Sequence, residues 1–528
     1  MDSHFSNNNV LTAQISSLLH DGQKERASIL IERIPQEEIR SYWEACLFFY
    51  ENSYHKAAQH FRAASQSGFS SPLKHLQQQL QNNNEEEDFL KLLEHIEASD
   101  DISPHLIELK AMSLIQLHHL EEAETLIRRS LKTGKSSYLF QSVLVRILCE
   151  EGAFGEAIYL LNKMRQELPL NWEILNNLAC IYNNIGKMEV ALTLYGHAIP
   201  LAPQEAQLRL NHSIALLKSG RFSQGWQEHE WRLKLPFHSN LPRKKILPTL
   251  LPGQSLAHKK VLVTQEEGLG DGLMYARYLP LLAQTGAIIH VWGSDQLASL
   301  IERIEGVSVS QVGGTCPPYD YHCPFISLPR ALSLYPSMPF NISTPYLTLS
   351  SKKKNYWQKK LHSVPKHKLR VGLVWAGGIH KDDRASRLLD YHRSIDLKTL
   401  KPLFGDPLIQ FFSLQKGERA CQQAEFSDHI IDYMSECETM EDTAAFIEAL
   451  DIVITVDTSI VHLAGALGKE TFLMDRFCNC WRWGFNQSQT PWYPSVKIYR
   501  QPYFNDWPSV VNLISAVLTK KALDKALS

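Results

Sequence analysis

At 528 residues the chain is too long for a single hydrophobic core, and roughly two to four domains are expected. Its 54 Lys+Arg against 56 Asp+Glu leave a net charge of −2, which excludes the broad basic footprint of a nucleic-acid-binding protein but not a local site for a small phosphate-bearing ligand. Nine scattered cysteines without a C-x-x-C pair suit a reducing cytosol and give no zinc framework, Cys478 and Cys480 having no partner pair at metal spacing.

The opening "MDSHFSNNNV" has no basic segment followed by an apolar one, so no signal peptide is evident. A repeat follows. Ala123, Ala157, Ala191 and Gly225 lie 34 apart (157−123, 191−157, 225−191), in step with Ala111, Val145, Ala179 and Ser213 and with Gly152, Gly186 and Gly220. Small residues let paired helices approach, and glycine accepts the left-handed turn between them. The same internal step recurs at Ala45 and Ala57. From Ala57 to Ala123 is 66 residues, about two repeats, across the acidic run "QNNNEEED" at 81–88, which reads as a solvated helix face or loop. Residues such as Ala179, Tyr182, Gly186, Ala191, Tyr195, Ala198 and Pro203 resemble the tetratricopeptide repeat, so five or six helix pairs are expected over 10–235, forming a solenoid that either holds a peptide or protein partner or is a structural extension of the next domain.

Past a proline-rich linker (236–258), strands and helices alternate. "KKVLVTQ", "AIIHVWG", "VSVSQV" and "DYHCPF" read as strands of one parallel domain (259–350), with "GLGDGLMYARYLPLLAQTG" a glycine loop opening a helix. The stretch 275–293 is broken by Arg277, Pro280, Gln284 and His290 and is too polar to span a bilayer. A second series (366–520) runs through "LRVGLVWAGG", "LIQFFSLQKG", "HIIDYM", the helix "MEDTAAFIEAL", "DIVIT", "ETFLMD", "VKIYRQ" and a closing helix near Pro508. The fold class is therefore an α-solenoid followed by two α/β domains whose strand ends frame a cleft.

"QEEGLGDG" is not G-x-G-x-x-G, and no G-x-x-x-x-G-K-[ST] occurs, which ranks hydride transfer and P-loop chemistry low. What remains is Asp271 in a glycine loop and a helix start, Asp457, Thr458 and Ser459, whose unpaired N–H groups and dipole suit a phosphate, although helix capping is a common use of such residues. His462 follows Ser459 by three and shares its helix face.

Taken in order, "HEWRLKLP", "GLGDGLMYARYLPLLA", "YDYHCPFISLPRAL", "LRVGLVWAGG", "HRSIDL", "FFSLQKG", "DTAAFIEALDIVITVDTSIVHLAGALGK" and "PWYPSVKIYRQ" resemble the family 9, heptosyltransferase-like glycosyltransferases of the two-Rossmann-domain (GT-B) type that carry tetratricopeptide repeats. The resemblance implies a nucleotide-sugar donor as substrate, with no further cofactor and no metal. It implies Asp271 as general base, Lys416 and His462 as further catalytic groups, and Gly268, Gly270, Arg393, Gln415, Asp457, Thr458 and Ser459 as donor-binding residues. Asp382 and Asp383 invite a metal reading, but the mixed charge of "HKDDRASR" disfavours it. The aromatic run 480–494, with Trp481 and Trp483, lines a donor pocket or packs a domain edge. Lys469 and Glu470 depart from the small residue and proline usual after "ALG", so the donor's identity stays open.

The expected reaction is an inverting transfer of a sugar to a hydroxyl acceptor, in the cytoplasm. By architectural analogy with tetratricopeptide-bearing O-linked N-acetylglucosamine transferases the acceptor is a protein; a glycan or lipid stays open. The rival readings are an inactive repeat scaffold and a nucleotide-sugar epimerase.

Overall fold

The structure is a computed structural model and describes residues 9–80, 82–97, 103–133, 137–235, 241–311, 315–333, 344–378 and 384–527. The chain divides into two compact units, residues 1–167 with 380–388, and residues 168–379 with 389–528.

Among the described residues fourteen α-helices precede the first strand, from Asn9–His20 to Phe222–His229. Six pairs of consecutive helices pack together, while the short helix Pro72–Gln79 stands outside the pairing and Asn83–Glu97 packs on Tyr54–Gln66. The first pair, Asn9–His20 and Lys24–Ile31, departs from the 34-residue step, its buried Ala27 lying 30 residues before Ala57 (57−27). The small-residue row marks helix contacts, Ala45, Ala57, Ala111, Ala123, Ala157, Ala179 and Ala191 all being fully buried. The turn inside each pair is left-handed, at Gly152 (φ 77°), Gly186 (φ 79°) and Gly220 (φ 80°). His118 (φ 60°) and Asn52 (φ 59°) hold the same conformation 34 and 100 residues before Gly152 (152−118, 152−52), so the turn geometry outlasts the glycine row.

In the first unit the acidic run forms part of the helix Asn83–Glu97, and one of its members corrects the solvated reading. Glu86 is completely buried, and Arg387 reaches to 3.8 Å from it while donating to the Leu80 carbonyl at 2.9 Å. An inward-facing carboxylate is tolerable there because a guanidinium accompanies it.

The second unit holds two sheets. Strands β1 (Lys260–Thr264), β2 (Ile288–Gly293), β3 (Val307–Gln311) and β4 (Tyr321–Pro324) form a parallel sheet in the order β3-β2-β1-β4. Strands β5 (Leu369–Val374), β6 (Ile409–Ser413), β7 (Ile430–Asp432), β8 (Ile452–Val456), β9 (Thr471–Asp475), β10 (Gln489–Thr490) and β11 (Tyr493–Arg500) form the other, in the order β10-β11-β9-β8-β5-β6-β7. Only β10 runs antiparallel to its neighbour in that sheet. The order reverses between β1 and β4 and between β5 and β8, the places where open α/β sheets part to admit ligands. The glycine loop opens the helix Leu269–Ala276, which breaks before Pro280 into a second, Leu279–Gln284.

The last helix pair shares a core with the sheets: Leu217 and Trp226 pack in the same cluster as Val261, Val263 and Trp481. The proline-rich segment from 241 also adheres to the first sheet, Ile246 bridging His322 while Leu247 and Leu250 are buried. Arg232, in "HEWRLKLP" and 1 % exposed, donates to Glu266 at 2.7 and 3.1 Å, to Glu230 at 3.1 Å and to Ser327 at 2.8 Å. It thus ties the end of the helix pairs to the residues just past β1. Phe485 covers Gly186, where an added Cβ would lie 1.8 Å from its ring.

These glycines separate two costs. Gly220 has open space about its missing side chain, so Gly220→Ala should cost only the left-handed strain, about 1 kcal/mol. Gly186→Ala adds the clash with Phe485 and should cost several times more in urea unfolding, with partial recovery in Gly186→Ala/Phe485→Leu. Equal losses at the two positions would show that Phe485 does not clamp the repeat.

Candidate functional site

The helix Leu269–Ala276, after β1, and the helix Ser459–Ala466, after β8, cross at Gly270. A Cβ there would lie 2.8 Å from the His462 ring and 3.5 Å from Ser459 Cα, so the contact needs glycine. Farther along, Gly465 lies against the Tyr493 ring, 2.4 Å from an added Cβ. The two sheets thereby bring Asp271 and the Asp457–Ser459 turn to one cleft.

Asp271 does not cap its own helix. The N-cap is Gly268, whose surroundings are open, and the Asp271 carboxylate instead pairs with Arg482 from the other α/β domain. Burial pushes the Asp271 carboxyl up to about 6; Arg482 opposes the rise, and Glu267 and Asp457 add to it. Such a carboxyl lies nearer to the protonation balance a general base needs than an ordinary aspartate does.

Thr458 is the cap of the second helix, its hydroxyl accepting from the Ile460 N–H at 3.3 Å. Ser459 is half-buried and its hydroxyl has no partner among the described residues. His462 is 5 % exposed, with Nδ1 3.0 Å from the Tyr493 hydroxyl and its ring stacked on Trp483 at 5.4 Å. Burial, then Arg482 and Arg277, hold its imidazole well below the ordinary range, so it is neutral. It packs the domain contact and does not stand free in the cleft.

At the other side of the β5–β8 switch, Gly377 is wrapped by Asp390 and Arg393, a Cβ there falling 2.1 Å from the Asp390 carboxylate and 2.5 Å from the Arg393 guanidinium. Gly378 faces open space. Asp390, 2 % exposed, binds both Arg393 (3.0 Å) and Arg419 (3.2 Å), one acid for two guanidinium groups. The local excess of positive charge suits a diphosphate. Gln415 serves as scaffold: its carbonyl accepts from the Trp375 and Ala376 N–H groups and its NH2 donates to the Ala376 and Lys416 carbonyls. Lys416 donates to the Cys437 carbonyl.

Trp481 and Trp483 pack among aromatic neighbours within the second unit. Trp483 is fully buried on His462, and Trp481 packs edge-on against Trp226 (5.5 Å) and Trp492 (5.8 Å). Sequence reading passed over Arg482 and Arg419. The one signal for Arg482 is its place between two tryptophans in "CWRW"; for Arg419 there is none. Asp382 and Asp383 lie outside the described residues, among which no group of three or more His, Cys, Asp or Glu could hold a metal ion. No helix among the described residues is long and apolar enough to cross a membrane.

No family model matches this sequence. Protein FlbA of Caulobacter vibrioides is 25% identical over 441 residues, covering 77% of this chain and 71% of FlbA. Among solved structures, E. coli ADP-heptose LPS heptosyltransferase II aligns with a TM-score of 0.37 at 14% identity, over 50% of this chain and 99% of that one. MamA from Desulfovibrio magneticus RS-1 aligns with a TM-score of 0.25 at 16% identity, over 34% of this chain and 92% of its own.

The raised Asp271 carboxyl has a measurable consequence. Its folded value of about 6 exceeds the ordinary 3.8, so its contribution to stability is complete below about 3.8 and is lost as pH rises to about 6. The unfolding free energy of the wild type minus that of Asp271→Asn should therefore fall between pH 4 and 6 and level off above. A rise over that window would mean that Arg482 outweighs burial.

Proposed function

We propose that this protein is a glycosyltransferase that moves a sugar from a nucleotide-diphosphate donor to an acceptor hydroxyl, with inversion and without a metal. The observation that carries the reading is the meeting of a carboxylate from one α/β domain with a helix start and an Arg pair at the strand switch of the other. The donor diphosphate would lie at the β5–β8 switch, between Ser459 and the guanidinium groups of Arg393 and Arg419. As the sugar–phosphate bond breaks, charge grows on the leaving diphosphate, and the helix dipole and the two arginines stabilise it.

Asp271 would take the proton of the acceptor hydroxyl as its oxygen attacks the anomeric carbon, in one displacement that inverts the centre. Arg482 occupies that carboxylate here, so the attack requires the pair to part. Lys416 would act by fixing the loop after β6 through Cys437, and His462 by holding the crossing helices together; neither would touch substrate. The repeats would recruit a protein acceptor. The intact acid, cations and helix start favour an enzyme over an inactive scaffold, and the helix pairs would be superfluous to an epimerase.

Thermal unfolding with UDP, GDP, ADP and their sugar conjugates tests the donor site. At one hundred times Kd a ligand adds about 2.7 kcal/mol, so one nucleotide family should stabilise the wild type. Arg393→Ala, which removes half of the cation pair, should abolish most of that gain. No stabilisation by any member of the panel would overturn the reading.

A further inference from the structure

A second pocket, of about 440 Å³, lies within the second unit where the last helix pairs meet the loop 481–492. Its walls include Phe222, Trp481 and Trp492 with two cations, Lys218 and Arg482, and Gln487 stands at its exposed rim. Lys218 is 5 % exposed, and its ammonium donates to just two backbone carbonyls, Asn183 at 3.2 Å and Asn479 at 3.3 Å. An ammonium has three donors, and no carboxylate pairs with this one among the described residues. The Arg482 Nε is likewise buried without a hydrogen-bond partner. Lys218 also lies over the Phe485 ring at 5.9 Å, and the acid whose field reaches it, Asp475, is already held by Arg500 at 2.8 Å. A buried cation without a carboxylate in ion-pair contact is costly, and an anion entering the pocket would relieve it. The one acid in the wall, Glu189, is exposed and bound to Arg221 at 2.8 Å.

Arg482 belongs to two places at once, lining this pocket and pairing with Asp271. We propose that the pocket binds an organic anion borne by the acceptor, with Lys218 and Arg482 holding its carboxylate or phosphate and the tryptophans its apolar body. Capture of Arg482 by that anion releases Asp271, so the base is freed when the acceptor is seated. The release rests on Asp271 being the base; the anion site does not.

Calorimetric titration of the full chain with phenyl phosphate and with benzoate tests both parts, without using sugar transfer as a readout. Saturable binding by either probe is expected, and which of the two binds more tightly distinguishes a phosphate from a carboxylate acceptor. Lys218→Met should weaken it about tenfold, the worth of a charge-assisted hydrogen bond. Gln487→Trp, a rim change that leaves the buried groups alone, should weaken it by obstruction. Because binding and the Asp271 pair compete for Arg482, Asp271→Asn should bind several-fold tighter, and by more than Glu267→Gln, which removes a neighbouring charge without breaking the pair. Binding by neither probe, or binding lost in Ser459→Trp but kept in Lys218→Met and Gln487→Trp, would overturn the pocket. Equal affinities for Asp271→Asn and Glu267→Gln would overturn the release, and neither result would depend on the nucleotide panel.

Discussion

Two short helices crossing at a residue without a side chain set most of what this protein can do. At Gly270 the helix after β1 comes within van der Waals distance of the helix after β8, and any larger residue would push the two sheets apart. On one side the contact carries little charge, His462 being buried, stacked and uncharged. On the other side it is electrostatic. Asp271 and Arg482 face each other across it, and Arg277, 1 % exposed, donates to the Trp492 carbonyl and lies over the Tyr346 and Tyr493 rings. Arg277 has no carboxylate partner there, so its charge is carried by carbonyls and ring faces.

The same crossing explains why the carboxyls nearest the cleft are hard to ionise. Burial raises both Asp271 and Asp475, each to about 6, and Asp457 adds to both. Three acids converge where a diphosphate would arrive, so the arginines are needed to keep the region from repelling it. Arg500 holds Asp475 at 2.8 Å, Arg482 holds Asp271, and Asp390 is shared by Arg393 and Arg419. Of these cations the Arg393–Arg419 pair has charge to spare.

How much of this could be read from the sequence depended on the range of the interaction. The 34-residue step was legible because a helix contact admits only small side chains, and it dimmed where His118 and Asn52 adopt the turn without glycine. Strands at "KKVLVTQ" and "DIVIT" showed as apolar β-branched runs, and the Asp457–Ser459 helix start could be placed from local signals alone. The partner of Asp271 could not, since Arg482 is 211 residues away and nothing local couples them. Nor could the burial of Glu86, which depends on an arginine some 300 residues later (387−86 = 301). The helical spacing puts His462 on the face of Ser459, but that this face meets Gly270 and Trp483 is a tertiary fact.

The clamp of Phe485 on Gly186 bears on how such a protein could be taken apart or reassembled. The helix pairs ahead of residue 168 form a unit with its own core, including Ala45, Phe61 and Leu92, whereas the final pair shares its core with the sheets. Exchange of the last pair between related chains, by recombination or by hand, would strip a wall from the core of the sheets, whereas exchange of earlier pairs would have to keep the contacts made to Arg387. The last pair is thus inseparable from the sheets, and among the earlier ones Asn83–Glu97 is tied by Glu86 and Leu80 to Arg387.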